Sequence, residues 1–242
     1  LFMLKAYDVP QASRTAKGQA IVNFLQLTGE EKIASVLSGE DIKSFKYLAM
    51  VTKNGIINKV ALEEFQNVRR SGLIAIKLKP GDRLRWVKPS SGKDHVMLVT
   101  SNGQSIRFDE DSLRGMGRNA AGVRGMRLKG ADEVVGMDLV NDGKSGHTEQ
   151  ILCVMANGFG KRSAMSNYKL QGRGGSGIRT AHITDKTGKI RAAMIVDEKT
   201  EVQDLIVISA KGQVIRLPMK SVSVLGRDTQ GVRIMKFNDD KD

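Results

Sequence analysis

The residues best suited to chemistry by type and spacing stand in the glycine-rich stretch QGRGGSG at 171–177. Gly172, Gly174 and Gly177 match the G-x-G-x-x-G pattern of a dinucleotide-binding loop, and Asp197 follows twenty residues after the last glycine. In such a loop the glycines admit a pyrophosphate to the backbone, and the acidic residue binds a ribose hydroxyl. The competing interpretation is a loop whose glycines and single arginine hold the phosphates of DNA.

The sequence after this loop argues against a nucleotide site. A dinucleotide loop needs a helix that begins at its last glycine and points its N-terminus at the pyrophosphate. Here the loop is followed by IRTAHIT, which alternates like a strand, then by the turn DKTGK and a second strand. A nucleotide enzyme therefore stays only as an alternative, and failure of nucleotides to shift the melting temperature would remove it.

No catalytic or metal-binding set is predicted elsewhere. The histidines, His95, His147 and His182, lie in different segments without ligand spacing. Cys153 is the only cysteine, which excludes an internal disulfide, and its place within QILCVMANG predicts a small buried side chain. The other candidates are predicted to be core or strand-edge side chains: Tyr7, Tyr47, Tyr168 and Trp86.

Charge points to a polyanionic partner. The 39 basic residues exceed the 26 acidic ones, which gives a net charge of +13 spread along the whole chain. Aromatic residues make up only 5 %, which argues against binding single strands by base stacking and favours duplex DNA. No apolar run approaches the roughly 20 residues of a membrane helix, and no secretory signal is visible. We expect a cytoplasmic, nucleoid-associated protein.

The chain repeats a unit of about fifty residues. Four apolar runs end in an NG or KG turn, at Gly55, Gly103, Gly158 and Gly212, with intervals of 48, 55 and 54 residues. Each turn precedes a second predicted strand, a loop, another glycine and a β-branched run such as AIVNFLQL or LIAIKL. These second glycines are Gly18, Gly72, Gly122, Gly177 and Gly231.

Five units of about four short strands predict an all-β, propeller-like array, with each unit forming a four-stranded blade. We expect one domain over 1–242, with repeats near 1–46, 47–93, 94–148, 149–201 and 202–242. The first repeat lacks its opening strand and turn, although LFMLKAY is predicted to be strand. The last stops after Phe237 and ends in NDDKD, which indicates an excised or circularly closed array. Only short helical turns are predicted, in SGEDIKSF (38–45) and LEEFQNVRR (62–70).

The loop before each second glycine has a common form. Four loops read SRTAKG, GRNAAG, GRGGSG and GRDTQG, with arginine, three small or polar residues, then glycine. Equivalent positions in a radial array share one rim, so these loops predict a curved cationic track for duplex phosphates. The alternative is that each arginine packs a structural turn. The track residues are Arg14, Arg118, Arg173 and Arg227, with Arg69 and Arg70 beside Val68 in the second repeat.

A second basic position follows each turn glycine by four residues. It is occupied by Lys59, Arg107, Arg162 and Arg216. These side chains either extend the track or are edge-strand charges that discourage aggregation, and the sequence favours neither.

Several long segments resemble the C-terminal DNA-wrapping domain of the DNA gyrase A protein, and the resemblance covers essentially the whole chain. They are KAYDVPQASRTAKG, TKNGIINKVALEEF, LRGMGRNAAGVRGMRL, NGFGKRSAMSNYKLQGRGGSG and GRDTQGVRIMKF. The resemblance implies a six-bladed β-pinwheel, of which five blades are present here, whose neighbouring blades exchange a strand and bend duplex DNA around a positive perimeter. It also implies that QGRGGSG is an accessory version of the family's glutamine–basic–glycine box, with Gly172 and Ser176 where the box carries basic residues.

The resemblance further implies a non-catalytic part of an ATP-dependent type IIA topoisomerase that introduces negative supercoils. ATP and Mg²⁺ would belong to other parts of that enzyme, with no cofactor, catalytic residue or metal in this chain. The expected partners are duplex DNA, the rest of the gyrase A protein and the gyrase B protein, in an assembly of two A and two B, with no membrane and with this fragment itself monomeric. Two further alternatives are a topoisomerase IV C-terminal domain, which bends DNA without strong wrapping, and a protein-interaction propeller of the WD-repeat kind.

The residues predicted to contact DNA combine both basic positions with neighbouring charges and the box-like loop, Gln171, Gly172, Arg173, Gly174, Gly175, Ser176 and Gly177. The full set is Arg14, Lys17, Lys59, Arg69, Arg70, Arg107, Arg114, Arg118, Lys161, Arg162, Gln171, Arg173, Arg179, Arg216, Lys220 and Arg227.

Overall fold

A computed structural model describes residues 1–27, 31–140, 149–197 and 203–237. Within them the regular structure is almost entirely β. The strands are β1 Tyr47–Thr52, β2 Ile56–Ala61, β3 Leu84–Ser90, β4 His95–Thr100, β5 Gln104–Asp109, β6 Val123–Arg124, β7 Val134–Val140, β8 Glu149–Met155, β9 Phe159–Ala164, β10 Ile178–Arg179, β11 Ile190–Asp197, β12 Asp204–Ile208, β13 Val214–Pro218 and β14 Val232–Arg233.

Helix is limited to short turns, as the sequence predicts. The α-helix α1 spans Gly39–Ile42. Single 3-10 turns occupy Ala6–Asp8, Ile21–Asn23, Leu62–Phe65, Glu110–Ser112, Met165–Asn167 and Met219–Ser221. The last four follow the second strand of each repeat at intervals of 48, 55 and 54 residues, the intervals of the turn glycines.

The predicted hairpins are confirmed. In the first, β1 pairs with β2 in antiparallel register from Tyr47↔Ala61 to Val51↔Ile57. Gly55 closes the turn at φ 75°, and its N–H donates to the Thr52 carbonyl over 3.0 Å. Such a left-handed φ costs an L-residue with a side chain about 1–2 kcal/mol. All nine glycines of the two repeated series have a positive φ, which shows that the repeat in sequence is a repeat in backbone conformation.

Three four-stranded antiparallel sheets are built from four equivalent strands each. Their orders are β3-β1-β2-β6, β7-β4-β5-β10 and β11-β8-β9-β14. In each, the outer two-residue strand comes from the following repeat: Ile57 pairs with Val123, Ser105 with Ile178, and Gly160 with Val232. The four-stranded blades are therefore confirmed, and every one of these three blades is completed by a strand from its neighbour.

The long outer strands β3, β7 and β11 bring the sheets together. Asp138 on β7 accepts a hydrogen bond from the Ile195 N–H on β11 at 3.0 Å and pairs with Lys88 on β3 at 3.1 Å. Gly136 on β7 lies so close to β11 that an added Cβ would stand 2.5 Å from the Ala193 carbonyl oxygen. The sheets are packed side by side along these strands.

The hydrophobic core lies between successive sheets. One cluster joins Val51 and Ile57 of the first sheet to Val96 and Ile106 of the second. Equivalent clusters join the second sheet to the third and the third to the β12–β13 hairpin. Cys153, on β8, is buried in one of them as predicted, while Trp86 is partly buried against the first.

The first repeat, and the run after the second glycine of the second repeat, differ from the prediction. AIVNFLQL contains only the 3-10 turn Ile21–Asn23, LIAIKL (73–78) forms no strand, and LFMLKAY leads into a 3-10 turn. Tyr7 is 77 % exposed, so its assignment to the core was wrong. The reason for 73–78 lies in the exchange: the run after each second glycine pairs with the second strand of the preceding repeat, and the described part of the first repeat contains no strand.

The last sheet has two strands among the described residues, β12 and β13. The third predicted run of this repeat, VRIMKF, contributes β14 to the preceding sheet instead. The terminal NDDKD and His147 lie outside the described residues.

Candidate nucleic-acid interface

The box-like loop is a structural joint between two repeats. The Gly174 N–H donates to the Gly125 carbonyl, and the Arg127 N–H donates to the Gly175 carbonyl, both at 2.8 Å. A Cβ on Gly177, at φ 76°, would lie 2.2 Å from the Ser105 carbonyl oxygen. This glycine is needed because its backbone presses directly against the sheet of the preceding repeat.

The rim arginines make equivalent contacts in two repeats. Arg173 donates through Nη1 to the carbonyl of Arg124 at 2.6 Å, and Arg227 donates through Nη1 to the carbonyl of Arg179 at 2.8 Å. Both side chains are half-buried. Each arginine therefore fastens its loop to the exchanged strand of the preceding repeat, and the turn-packing interpretation holds for these two residues.

The remaining rim cations are more open. Arg118 is half-buried, and its Nε lies 3.9 Å from a Glu64 carboxylate oxygen. The other predicted members of the rim are exposed: Arg14, Lys17, Arg69, Arg70 and Arg114.

Two predicted DNA contacts are corrected by burial. Lys161 is 0 % exposed, and its Nζ donates to the carbonyls of Gly226 and Arg227 at 2.8 and 2.6 Å and to the Thr229 hydroxyl at 3.1 Å. Burial lowers the pKa of Lys161 to about 8. Its ammonium group clamps the last rim loop from inside, where a phosphate cannot reach it.

Lys59 is the second of these buried lysines. It is 5 % exposed, with Nζ 3.1 Å from the Glu110 carbonyl, 3.8 Å from the Glu110 carboxylate and 5.1 Å from the centre of the Tyr47 ring. Burial raises the pKa of the Glu110 carboxyl, which also accepts hydrogen bonds from the Ser90 hydroxyl and the Asp94 N–H. Both lysines hold the fold together and are not rim charges.

The arginines after the turns also bind backbone. Arg107 donates to the Tyr168 carbonyl at 3.3 Å, and Arg162 donates to the Val222 carbonyl at 2.8 Å, an equivalent position one repeat later. Their strands, β5 and β9, are interior strands, so edge-strand charge does not describe them. Arg216, on β13, is exposed and pairs with Asp204.

Other predicted contacts divide between surface and interior. Lys220 is exposed, while Gln171 is half-buried and donates its N–H to the Arg107 carbonyl at 2.8 Å. Arg179 is exposed and reaches Asp228 of the next rim loop at 3.2 Å.

Sequence reasoning missed two arginines of the exchanged strands. Arg124 and Arg233 are exposed and occupy the same strand position as Arg179. The signal was present in VRGMRL, IRTAHI and VRIMKF, where an arginine stands two residues after each second glycine.

The geometry does not fit a nucleotide enzyme. The loop at 171–177 runs directly into β10, and no helix follows before β11. In the described part of the chain no three histidine, cysteine or acidic side chains are grouped to hold a metal, and no helix there is long and apolar enough to cross a membrane.

Strand-exchanged, four-stranded blades with basic rim loops define a β-pinwheel of the propeller class. The model of the family described as "DNA gyrase C-terminal domain, beta-propeller" matches residues 1–39, 46–91, 94–141, 149–197 and 203–242, and the chain belongs to this family.

Relatives support the same assignment. The DNA gyrase A protein of Staphylococcus epidermidis is 39 % identical over 240 residues, and that of Staphylococcus aureus is 37 % identical over 242. These matches cover 99 % and 100 % of this chain but only 26 % and 27 % of the relatives, so the chain spans about a quarter of their length.

Solved structures share the fold. A DNA gyrase A C-terminal domain superposes with a TM-score of 0.80 at 25 % identity, covering 98 % of this chain and 74 % of that one. A topoisomerase IV C-terminal domain gives 0.81 at 24 % identity, covering 90 % and 66 %.

Replacing Gly177 with alanine is expected to destabilise the protein by about 2 kcal/mol or more, because a Cβ would strain a left-handed backbone and strike the Ser105 carbonyl. Gly172→Ala is the control, since its Cβ would meet nothing within 4 Å. Urea unfolding should show a change within about 0.5 kcal/mol for the control. Equal effects of the two substitutions would contradict the conclusion that the loop is packed against the preceding repeat at Gly177.

Lys161→Met is expected to cost about 1–3 kcal/mol, because it removes three hydrogen bonds from the last rim loop. Lys220→Met, which also deletes one charge but from an exposed side chain, should leave the free energy of unfolding nearly unchanged. Chemical denaturation of both variants checks this. An unchanged free energy of unfolding for Lys161→Met would show that the loop does not need the hydrogen bonds of Lys161.

Proposed function

We propose that this domain binds duplex DNA along its basic rim, tolerates any sequence and bends the duplex around itself. The observation that carries the proposal is one loop contact made in two successive repeats, by Arg173 and by Arg227, with exposed cations beside it. A net charge of +13 supplies the attraction, and equivalent loops provide contacts at regular intervals.

Sequence tolerance follows from the chemistry of the rim. Arginine and lysine side chains on short loops suit phosphate oxygens, which are the same for every base pair. In the described residues the only α-helix has four residues, so no helix there is built to enter a major groove and distinguish base edges. Backbone contacts alone would then set the affinity.

Bending requires several contacts acting together. Curving 20–30 base pairs by 40–90° costs on the order of 1–6 kcal/mol by elastic estimates. One exposed arginine cannot offset that cost, but a rim with contacts in every repeat can, as in other proteins that wrap DNA. We therefore propose that the five repeats act as one curved surface.

The larger role is also a proposal. Because the relatives are DNA gyrase A proteins, we propose that the chain is the DNA-wrapping part of an ATP-dependent type IIA topoisomerase in the bacterial cytoplasm. There it would work with the rest of the gyrase A protein and with the gyrase B protein, and it would direct strand passage toward negative supercoiling. The cleavage and ATPase chemistry would lie elsewhere in that enzyme.

The alternative is a topoisomerase IV-type domain, since a solved example shares the fold. Identities of 37 and 39 % to gyrase A proteins over nearly the whole chain favour the gyrase role. Ligation of DNA circles in the presence of the domain separates the two, because a wrapping domain shifts the distribution of topoisomers and a weakly bending one does not.

Binding to a random-sequence duplex of about 40 base pairs is expected to weaken steeply with salt. The logarithm of affinity should fall by about 0.9 for each phosphate contacted per tenfold rise in salt, so about six contacts give a slope of about −5. Fluorescence anisotropy between about 50 and 200 mM salt measures this slope. A flat dependence would rule out the proposed function.

Arg173→Ala is expected to weaken DNA binding no more than Arg227→Ala or Arg118→Ala. Arg173 and Arg227 make the same contact with the preceding exchanged strand, and each loop is one post among several. Gel shifts of the three variants at one salt concentration check the equality. A dominant loss with Arg173→Ala would instead make the box-like loop the principal site.

A further inference from the structure

The exchanged strands carry cations that the rim loops do not account for. Arg124, Arg179 and Arg233 follow the second glycine of their repeats by two residues, lie at the outer edge of their sheets and are exposed. Two of these backbone positions are held from behind, because Arg173 and Arg227 donate to the carbonyls of Arg124 and Arg179. The rim arginines thus fix the strand from which the outer arginines project.

A recess accompanies the first of these arginines. A cavity of about 360 Å³ is lined by Arg124 together with Lys79, Asn54 and Arg127. Asp82 also lines it, but its Oδ1 already accepts the N–H groups of Asn54 and Arg83 at 3.1 and 2.8 Å. Among the described residues, neither Lys79 nor Arg124 has a carboxylate oxygen within 4.0 Å of its charged nitrogens, so neither forms an ion pair there. The recess is therefore concave, open and cationic.

The third strand exchange, that of β14 with β9, also brings an arginine and a lysine together. Arg233 and Lys186 both lie over the ring of Phe159, at 5.2 and 5.6 Å from its centre. Phe159 follows the turn glycine as Ile56 does in the first recess. Lys186 lies on the turn before β11, as Lys79 lies on the turn before β3. One arginine of the exchanged strand and one lysine of the neighbouring turn thus flank each of these hairpin turns.

We propose that these arginine–lysine pairs form a second row of phosphate sites beside the rim loops, one at each strand exchange. The row consists of Arg124 with Lys79, Arg179 with Lys129, and Arg233 with Lys186, all of them exposed. An arginine fork and a lysine ammonium on two sides of a recess suit a backbone phosphate, which presents several acceptor oxygens. This inference rests on the proposed DNA binding and identifies the side chains that make the contacts.

The middle site is attenuated. Arg179 lies 3.2 and 3.3 Å from the two Asp228 carboxylate oxygens, and the His182 Nδ1 lies 4.0 Å from the same group. The equivalent residues of the other glycine–arginine loops are Asn119 and Gly174, which carry no charge. Asp228 competes with a phosphate for Arg179, so its removal strengthens DNA binding.

The test compares Arg124→Gln/Arg233→Gln with Lys43→Gln/Lys93→Gln in the 242-residue chain, using anisotropy with the same random-sequence duplex. Both pairs remove two exposed positive charges. Lys93 lies on the turn before β4, which places it about 20 Å from the recess end of that strand at about 3.3 Å per residue. The first pair should flatten the salt slope by about 1.8, the value for two lost phosphate contacts, and the control by less than about 0.5.

Asp228→Asn is expected to strengthen binding, an effect that neither loss of positive charge nor misfolding can produce. It should tighten binding several-fold and steepen the slope by up to about 0.9, whereas Glu40→Gln, which frees Lys43 in the same way, should change little. A wild-type chain without salt-dependent binding would refute the proposed function itself. Steep wild-type binding, with equal slopes for the two double variants or no gain from Asp228→Asn, would overturn the second row alone.

Discussion

Pairing of each exchanged strand with the preceding blade is the interaction on which the rest of the structure depends. The ladder is only two residues long in each case, such as Val232–Arg233 against Phe159 and Gly160. Yet it completes a sheet, closes the edge of β9 and sets the position of the loop that precedes the strand. Without it each of these three sheets would expose the edge of its hairpin.

The same exchange explains why basic residues both stabilise the fold and are available to contact phosphates. Carbonyls at the contacts between neighbouring repeats need donors, and these are supplied by Arg107, Arg162, Arg173 and Arg227. A long guanidinium can bind a carbonyl with one nitrogen and leave other donors directed outward. Structural support and phosphate contact are therefore compatible in one side chain, and mutation of such a residue changes both.

Burial separates Lys59 and Lys161 from the other cations. A fully buried ammonium is tolerated only where oxygens surround it, and both lysines have them from the next repeat. These positions link neighbouring repeats, so the basic character of the sequence is partly a requirement of the fold. A net charge of +13 overstates the charge available to a ligand for this reason.

The sequence by itself determined the period, the hairpins and the places of the left-handed glycines, because these follow from local turn chemistry and alternation. It also determined the family, since long motifs recur in order. It did not determine that 73–78 would lack a strand, since strand formation there depends on a partner from another repeat. Nor did it separate Lys161 from Lys220, or Arg124 from Arg107, because equal residue types at regular spacing differ only in what the next repeat places over them. Tertiary structure decided which cations face solvent, and strand exchange is the physical reason.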